Sequence, residues 1–232
     1  MKLILNKKPQ NPTIIQGFPS VGLVSTLTTK FLLDHLDVEE IGHIESEEIL
    51  PLTAIHNSKV INPITIFYNK KYNLIIVQSL TEVNGHEWQL AETMLDLAKS
   101  VSAKEIVVIE SIPSQTQEIH LSYFSNKNKL QIKPVEEGIV MGTTAALLLK
   151  AKSFPVTCIF AEAHSQFPDS ESAAKVVECL DNYLKMKLDF KPLLDQAKEF
   201  EMKLKEMIQK QQSSIARSAK TLQQKEDVAY IG

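Results

Sequence analysis

The sequence predicts an α/β protein with a mixed, mostly parallel sheet flanked by helices. Three observations predict it. Short apolar, β-rich segments alternate with amphipathic stretches of helical period. The run Ile106-Val107-Val108-Ile109 is apolar on both faces, as a strand buried between two helical layers must be. Between residues 39 and 80 several β-rich segments follow one another with no helix between them, which adds antiparallel strands to the parallel set.

The elements follow in chain order. Thr13–Gln16 is a short buried strand, and the turn Gly17-Phe18-Pro19-Ser20 leads into a helix over 21–36. Ser20 is placed to cap that helix, and Leu23, Leu27, Phe31, Leu32 and Leu33 keep near-helical spacing. Strands are predicted at 39–44, 52–57, 64–68 and 74–80, separated by Asn62-Pro63 and Asn69-Lys70-Lys71. A helix over 85–101 presents Trp88, Ala91, Leu95 and Ala98 on one face. Strands at 105–110, 119–124 and 156–161 and helices at 142–151 and 170–184 complete the core, which ends near residue 190.

From Lys191 the pattern changes. Leu193, Ala197, Phe200, Leu204 and Met207 are spaced 4, 3, 4, 3 with Lys and Glu between them, which is heptad spacing. This predicts a C-terminal helix over 191–226 whose stripe folds onto its own core or pairs with a neighbour. Residues 209–227 are too polar to bury much surface, so 227–232 is expected to be a flexible tail.

Composition narrows the function. In 232 residues, 25 Lys and Arg stand against 28 Asp and Glu, a net charge of −3 that gives no basic field for nucleic acid or an anionic membrane. The aromatics are scattered, without the basic interleaving that stacks single-stranded bases. No run of about 18 apolar residues suits a membrane span, and Met1–Lys8 lacks the apolar core of a signal peptide. Cys158 and Cys179 both sit in apolar stretches and read as buried thiols in a reducing, cytoplasmic compartment.

Motifs for catalysis fall short. Gly17-Phe18-Pro19-Ser20-Val21-Gly22 lies between a strand and a helix, where backbone N–H groups can hold a phosphate. However, Leu23-Val24 stands where a P-loop needs Lys and Ser/Thr, and Pro19 removes a donor. His86-Glu87 lacks the second His of a zincin, since Leu90 occupies that place. Glu162, His164 and Asp169 cluster after a strand, and Ser20 or Ser165 would complete a Ser–His–acid set. No G-x-S-x-G elbow presents either serine. Glu45, Glu47 and Glu48 read as a solvated acidic turn. No metal or cofactor is expected, and the chain reads as a protein-binding factor rather than an enzyme.

A series of segments resembles the proteasome-assembly-chaperone family, archaeal members above all. These are Ile15-Gln16-Gly17-Phe18-Pro19-Ser20-Val21-Gly22-Leu23-Val24, Ile41-Gly42-His43-Ile44-Glu45-Ser46-Glu47-Glu48 and Ala103-Lys104-Glu105-Ile106-Val107. Glu136-Glu137-Gly138-Ile139-Val140-Met141-Gly142 and Ala161-Glu162-Ala163-His164 with Pro168-Asp169 follow in family order. The likeness spans about residues 10–205. It implies a nucleoside-phosphorylase-like core, self-association, and ATP-independent binding to proteasome α subunits.

Family members of this kind dock through a C-terminal hydrophobic–Tyr–any tripeptide. Here the chain ends Ala229-Tyr230-Ile231-Gly232, so the tyrosine is antepenultimate, which shifts the register of docking. Met141-Gly142-Thr143-Thr144 stands where relatives carry a turn richer in Gly and Ser. The expected partner-binding residues are therefore Ala229, Tyr230, Ile231 and Gly232. The alternative is a phosphorylase- or hydrolase-like enzyme using the Gly17–Gly22 loop and the Glu162–Asp169 turn.

Overall fold

In the computed structural model of the chain, the described residues are 1–188, apart from 57, 115, 117 and 165–167, together with Asp195 and Met202. The strands are β1 (Lys2–Leu5), β2 (Thr13–Gly17), β3 (Val38–Glu45), β4 (Ala54–His56), β5 (Lys59–Ile61) and β6 (Ile64–Asn69). They continue with β7 (Leu74–Ser79), β8 (Glu105–Pro113), β9 (Leu121–Ser125), β10 (Lys133–Pro134) and β11 (Val156–Ala163). The helices are α1 (Val24–His35), α2 (Glu87–Ser100), α3 (Gly142–Ala151) and α4 (Ser170–Leu184).

One nine-stranded sheet runs in the order β1-β3-β6-β7-β2-β8-β11-β9-β10, and β4 and β5 form a separate hairpin. Its centre, β7-β2-β8-β11, is parallel throughout. Antiparallel strands extend it: β6, β3 and β1 beyond β7, and β9 beyond β11. The expected mixed α/β architecture is thus the observed one.

Alternation along each strand splits the core in two. Ile14, Ile75, Val77, Ile106, Val108, Val156 and Cys158 face the layer of α2 and α3. Ile15, Leu74, Ile76, Val107, Ile109 and Ile159 face the layer of α1 and α4. Because the central strands carry apolar residues on both faces, they read in sequence as continuous runs.

The structure departs from the sequence reading at several elements. β1 is an edge strand registered on β3, with Leu3 opposite Ile44, although its four residues carry too short a pattern to stand out alone. The expected strand over 52–57 is the hairpin β4–β5, with Ile55 opposite Val60. In α2 the buried face is centred on Leu90, Met94 and Leu97, joined by Ala91 and Ala98. Trp88 lies off that face and is 53% exposed, because its position in the first turn sets it on the flank toward α3. The Lys150 ammonium lies over its ring. β8 and β11 run three and two residues past their predicted ends at 110 and 161, to Pro113 and Ala163. The stripe Leu193, Ala197, Phe200, Leu204 and Met207 and the end Ala229–Gly232 lie outside the described residues.

Candidate functional site

The carboxyl ends of β7, β2, β8 and β11 share one edge of the sheet, since these strands are mutually parallel. The chain leaves β2, returns in β7 on one side of it, and later enters β8 on its other side. This is a topological switch point, where loops diverge and leave a crevice. The Gly17–Gly22 loop and the Glu162–Asp169 turn, apart from residues 165–167, are both here, as the sequence placed them.

Two glycines shape the first loop for different reasons. A Cβ on Gly17 would stand 2.2 Å from Thr29 Cγ2 and 2.8 Å from the Ser25 carbonyl oxygen, so α1 crosses directly over the end of β2. Gly22 has φ +64°, in the left-handed region, and Leu23 follows at φ +50°. Gly17 thus carries the close approach of α1 to the sheet, and Gly22 supplies the left-handed turn.

Ser20 does not cap α1. A 3₁₀ turn over Val21–Leu23 separates it from the helix, and its hydroxyl makes no cap hydrogen bond. Instead the Ser111 hydroxyl donates to Ser20 Oγ at 2.7 Å, and Ser20 Oγ lies 3.0 Å from Ser25 Oγ. Ser111 also reaches the Val21 carbonyl, and Ser25 reaches the Phe18 carbonyl. The three hydroxyls tie the loop after β2 to the end of β8 and the first turn of α1.

The second turn is fastened through Asp169. Its Oδ1 accepts from the Ser172 N–H at 2.9 Å, which makes it the N-cap of α4. Its Oδ2 accepts from the His164 N–H at 3.0 Å and lies 3.1 Å from His164 Nδ1. Burial alone would raise the Asp169 carboxyl, but these hydrogen bonds outweigh it and hold it below the usual carboxylate range. The Asp169 N–H donates to the Gly22 carbonyl at 2.8 Å, joining the two loops. Nearby, the Ser114 hydroxyl donates to Glu162 Oε2 at 3.1 Å.

A histidine held by a buried carboxylate has the geometry of an oriented base. Of the two hydroxyls that the sequence offered, Ser20 is engaged with Ser25 and Ser111, and Ser165 lies outside the described residues. The arrangement ties two loops and the cap of α4 together. No group of three His, Cys, Asp or Glu among the described residues is placed to hold a metal ion. Glu45, Glu47 and Glu48 lie at the same edge, with His43 Nε2 3.2 Å from Glu45 and His86 Nδ1 3.6 Å from Glu48.

Two carboxylates, Glu105 buried and Glu110 partly buried, escaped the sequence reading. Glu110, toward the end of β8 on the α2/α3 face, accepts from the Thr144 hydroxyl at 2.7 Å. Burial pushes its carboxyl up against the pull of that bond and of the Ser111 N–H. Glu105, at the start of β8, is 7% exposed and accepts from Asn128, Thr157 and Tyr183 at 2.9–3.2 Å. Burial and the neighbouring Glu105 push the Tyr183 phenol up. Beside them a cavity of about 370 Å³ is lined by the loop 129–132 and by Cys179, Asn182 and Tyr183 of α4. Both cysteines are free; burial raises the Cys158 thiol to about 12 and the Cys179 thiol to about 11, well above the usual thiol range. Cys179 is only partly buried, unlike Cys158.

The fold and this edge define a three-layer α/β protein whose switch-point loops are closed by their own hydrogen bonds. The chain belongs to the PAC2 family, whose sequence profile matches residues 14–208. It is similar to an uncharacterized protein of Methanocaldococcus jannaschii, at 26% identity over 91% of each chain. Among solved structures it resembles Pyrococcus furiosus PbaA, described as an archaeal homolog of proteasome-assembly chaperone. The TM-score is 0.78 at 23% identity, covering 95% of this chain and 96% of that one. P. furiosus PbaB, described as an archaeal proteasome activator, gives 0.72 at 20% identity, covering 89% and 98%. At these identities the structural likeness establishes the fold.

Proposed function

We propose that the chain is an ATP-independent, cytoplasmic proteasome-assembly chaperone or proteasome-binding factor that acts without catalysis. The observation that carries this reading is its likeness, over nearly the whole length of both chains, to PbaA. The switch-point edge supports it. There hydrogen bonds link Ser20 to Ser25 and Ser111, and Asp169 to His164 and the Ser172 N–H.

In this reading the partners are proteasome α subunits and further copies of the chain. Ala229, Tyr230, Ile231 and Gly232 enter a pocket on the α ring. Tyr230 is the aromatic anchor and the Gly232 carboxylate is the charged terminus. The stripe Leu193, Ala197, Phe200, Leu204 and Met207 docks on the core or on a neighbouring copy. Several tails on one oligomer bind one ring with avidity.

Binding of purified chain to a proteasome α ring tests the proposal. Deleting Tyr230–Gly232 is expected to weaken capture by tenfold or more, since a buried aromatic anchor is typically worth about 2 kcal/mol or more. The variant keeps the parent's melting temperature and sedimentation. Undiminished capture would remove the tail from the docking site, and no capture of the parent at all would overturn the proposal.

A further inference from the structure

Helix α3, with sequence GTTAALLLKA, carries a single charged residue, Lys150. A helix this apolar around its circumference belongs in an interior. One side of α3 is buried, through Thr144, Ala146, Leu147 and Ala151. The other side faces solvent. Met141, Ala145 and Leu149 stand four residues apart in one outward row, with Met141 78% and Leu149 69% exposed. Ile139, just before the helix, is 93% exposed.

Charge is distributed along this row in one direction. At its amino end Glu136 and Glu137 are exposed, and no basic residue lies between Val135 and Met141. At its carboxyl end stand Lys150, whose ammonium is paired with Glu92 of α2, and Lys152, which is exposed and carries the positive charge there; no acidic residue lies between Gly142 and Ser153. The smallest side chain of the row, Ala145, is at its centre.

We propose that this face is an interface with a second copy of the chain, in which the two α3 helices pack antiparallel across a two-fold axis at Ala145. That pairing lays Met141 of each copy on Leu149 of the other. It also brings the acidic end of each row, Glu136 and Glu137, beside Lys152 of its partner, whereas a parallel pairing would set the acidic ends together. Ala145 against Ala145 lets the helices approach closely at the crossing. A patch that complements itself in shape and charge is what a two-fold, isologous contact requires. The inference rests on the reading of the chain as a homo-oligomer and gives that oligomer a contact that owes nothing to the chain end.

The test uses the full chain. Sedimentation of the parent is compared with Ala145→Glu, which sets two carboxylates face to face at the axis, and with Leu149→Lys, a second exposed position. Both variants are expected to keep the parent's circular dichroism and to lose the α3 contact, lowering the sedimenting mass at equal concentration by about half. In Ala145→Cys, mild oxidation is expected to give a chain-to-chain disulfide that the parent, whose Cys158 and Cys179 lie away from this face, does not form. An oligomeric parent whose Ala145→Glu and Leu149→Lys variants sediment unchanged, with Ala145→Cys staying uncrosslinked, overturns this interface and leaves the homo-oligomer reading standing. A monomeric parent overturns both. Variants that change only capture by the α ring would assign the face to the ring, which also overturns the proposal.

Discussion

The two helical layers of this protein treat the same sheet in opposite ways. The α1/α4 layer is drawn down onto the carboxyl edge by close contacts and hydrogen bonds: Gly17 under α1, the serine cluster, and Asp169 at the cap of α4. The α2/α3 layer is held mainly by apolar packing, buries an uncomfortable carboxyl at Glu110, and leaves Met141 and Leu149 in solvent. The difference teaches that one layer can be fastened to the sheet by polar ties at a crevice-like edge while the other rests on apolar packing and keeps apolar side chains at its surface. Substitutions on each side should therefore differ in size and in pH dependence.

The largest effect is expected at Gly17. Valine there has its Cβ inside Thr29 and against the Ser25 carbonyl, part of the backbone of α1, so relief requires α1 to move off the sheet. Overpacking of this kind costs about 3 kcal/mol, at the upper end of the usual range. For a domain of this size that lowers the melting temperature by roughly 6–12 °C. Differential scanning calorimetry of Gly17→Val measures it. A melting temperature within a degree of the parent would show that α1 is not pinned and would break the contrast between the layers.

Asp169→Ala comes next. It removes the cap of α4 and the acceptor of both His164 bonds, for about 2 kcal/mol. The pH dependence has a definite sign. The folded carboxyl titrates below its unfolded value, so its stabilisation is present above the unfolded pKa, about 3.9, and is lost as pH falls through the lower folded one. Parent and variant should differ at neutral pH and converge toward the acid limit in urea titrations. An equal difference at every pH would mean that Asp169 acts through packing rather than charge.

Much of this was legible in the sequence, and what was missed shares a cause. The buried strands announced themselves, since Ile14-Ile15 and Ile106–Ile109 sit between two layers and need no partner to be recognised. Helices α3 and α4 fell where their patterns ended. Periodicity reports which face of an element is apolar, but not which distant residue meets it. Ser20 and Ser111 are 91 residues apart, so the bond between them had no local sign, and Ser20 read as a cap. Glu105 and Glu110 looked like the polar bounds of an apolar strand, whereas their partners Thr144, Thr157 and Tyr183 come from later elements. Gly17 and Gly22 were visible as a pair, but only the path of α1 tells which carries packing and which carries the turn. The β4–β5 hairpin was too short, at three residues a strand, to separate from its surroundings.

The smallest expected effect comes from the other layer and has the opposite pH dependence. Glu110 lies on the α2/α3 face, and its folded carboxyl titrates above the unfolded value because burial disfavours the charged form. Below the unfolded pKa, about 4.3, both states are protonated and the group adds no penalty. As pH rises toward the folded pKa, the unfolded chain gains from ionising while the folded chain resists it, so the parent loses stability over that window. Glutamine keeps the shape and an oxygen that accepts from the Thr144 hydroxyl, now 2.7 Å from the carboxylate. It cannot ionise. Glu110→Gln should therefore match the parent near pH 4 and exceed it at pH 7–8, by at most about 1 kcal/mol for a single partly shielded carboxyl. Asp169→Ala behaves in reverse, with its difference from the parent fading in acid and its sign negative at neutral pH. Chemical denaturation of both variants from about pH 2 to pH 8, spanning the region below about 3.9 where Asp169 acts and the region above about 4.3 where Glu110 does, would display the two layers side by side. If Glu110→Gln is less stable than the parent at pH 7, the carboxylate is a net stabiliser of the α3 end. The α2/α3 layer would then be fastened by charge as its counterpart is.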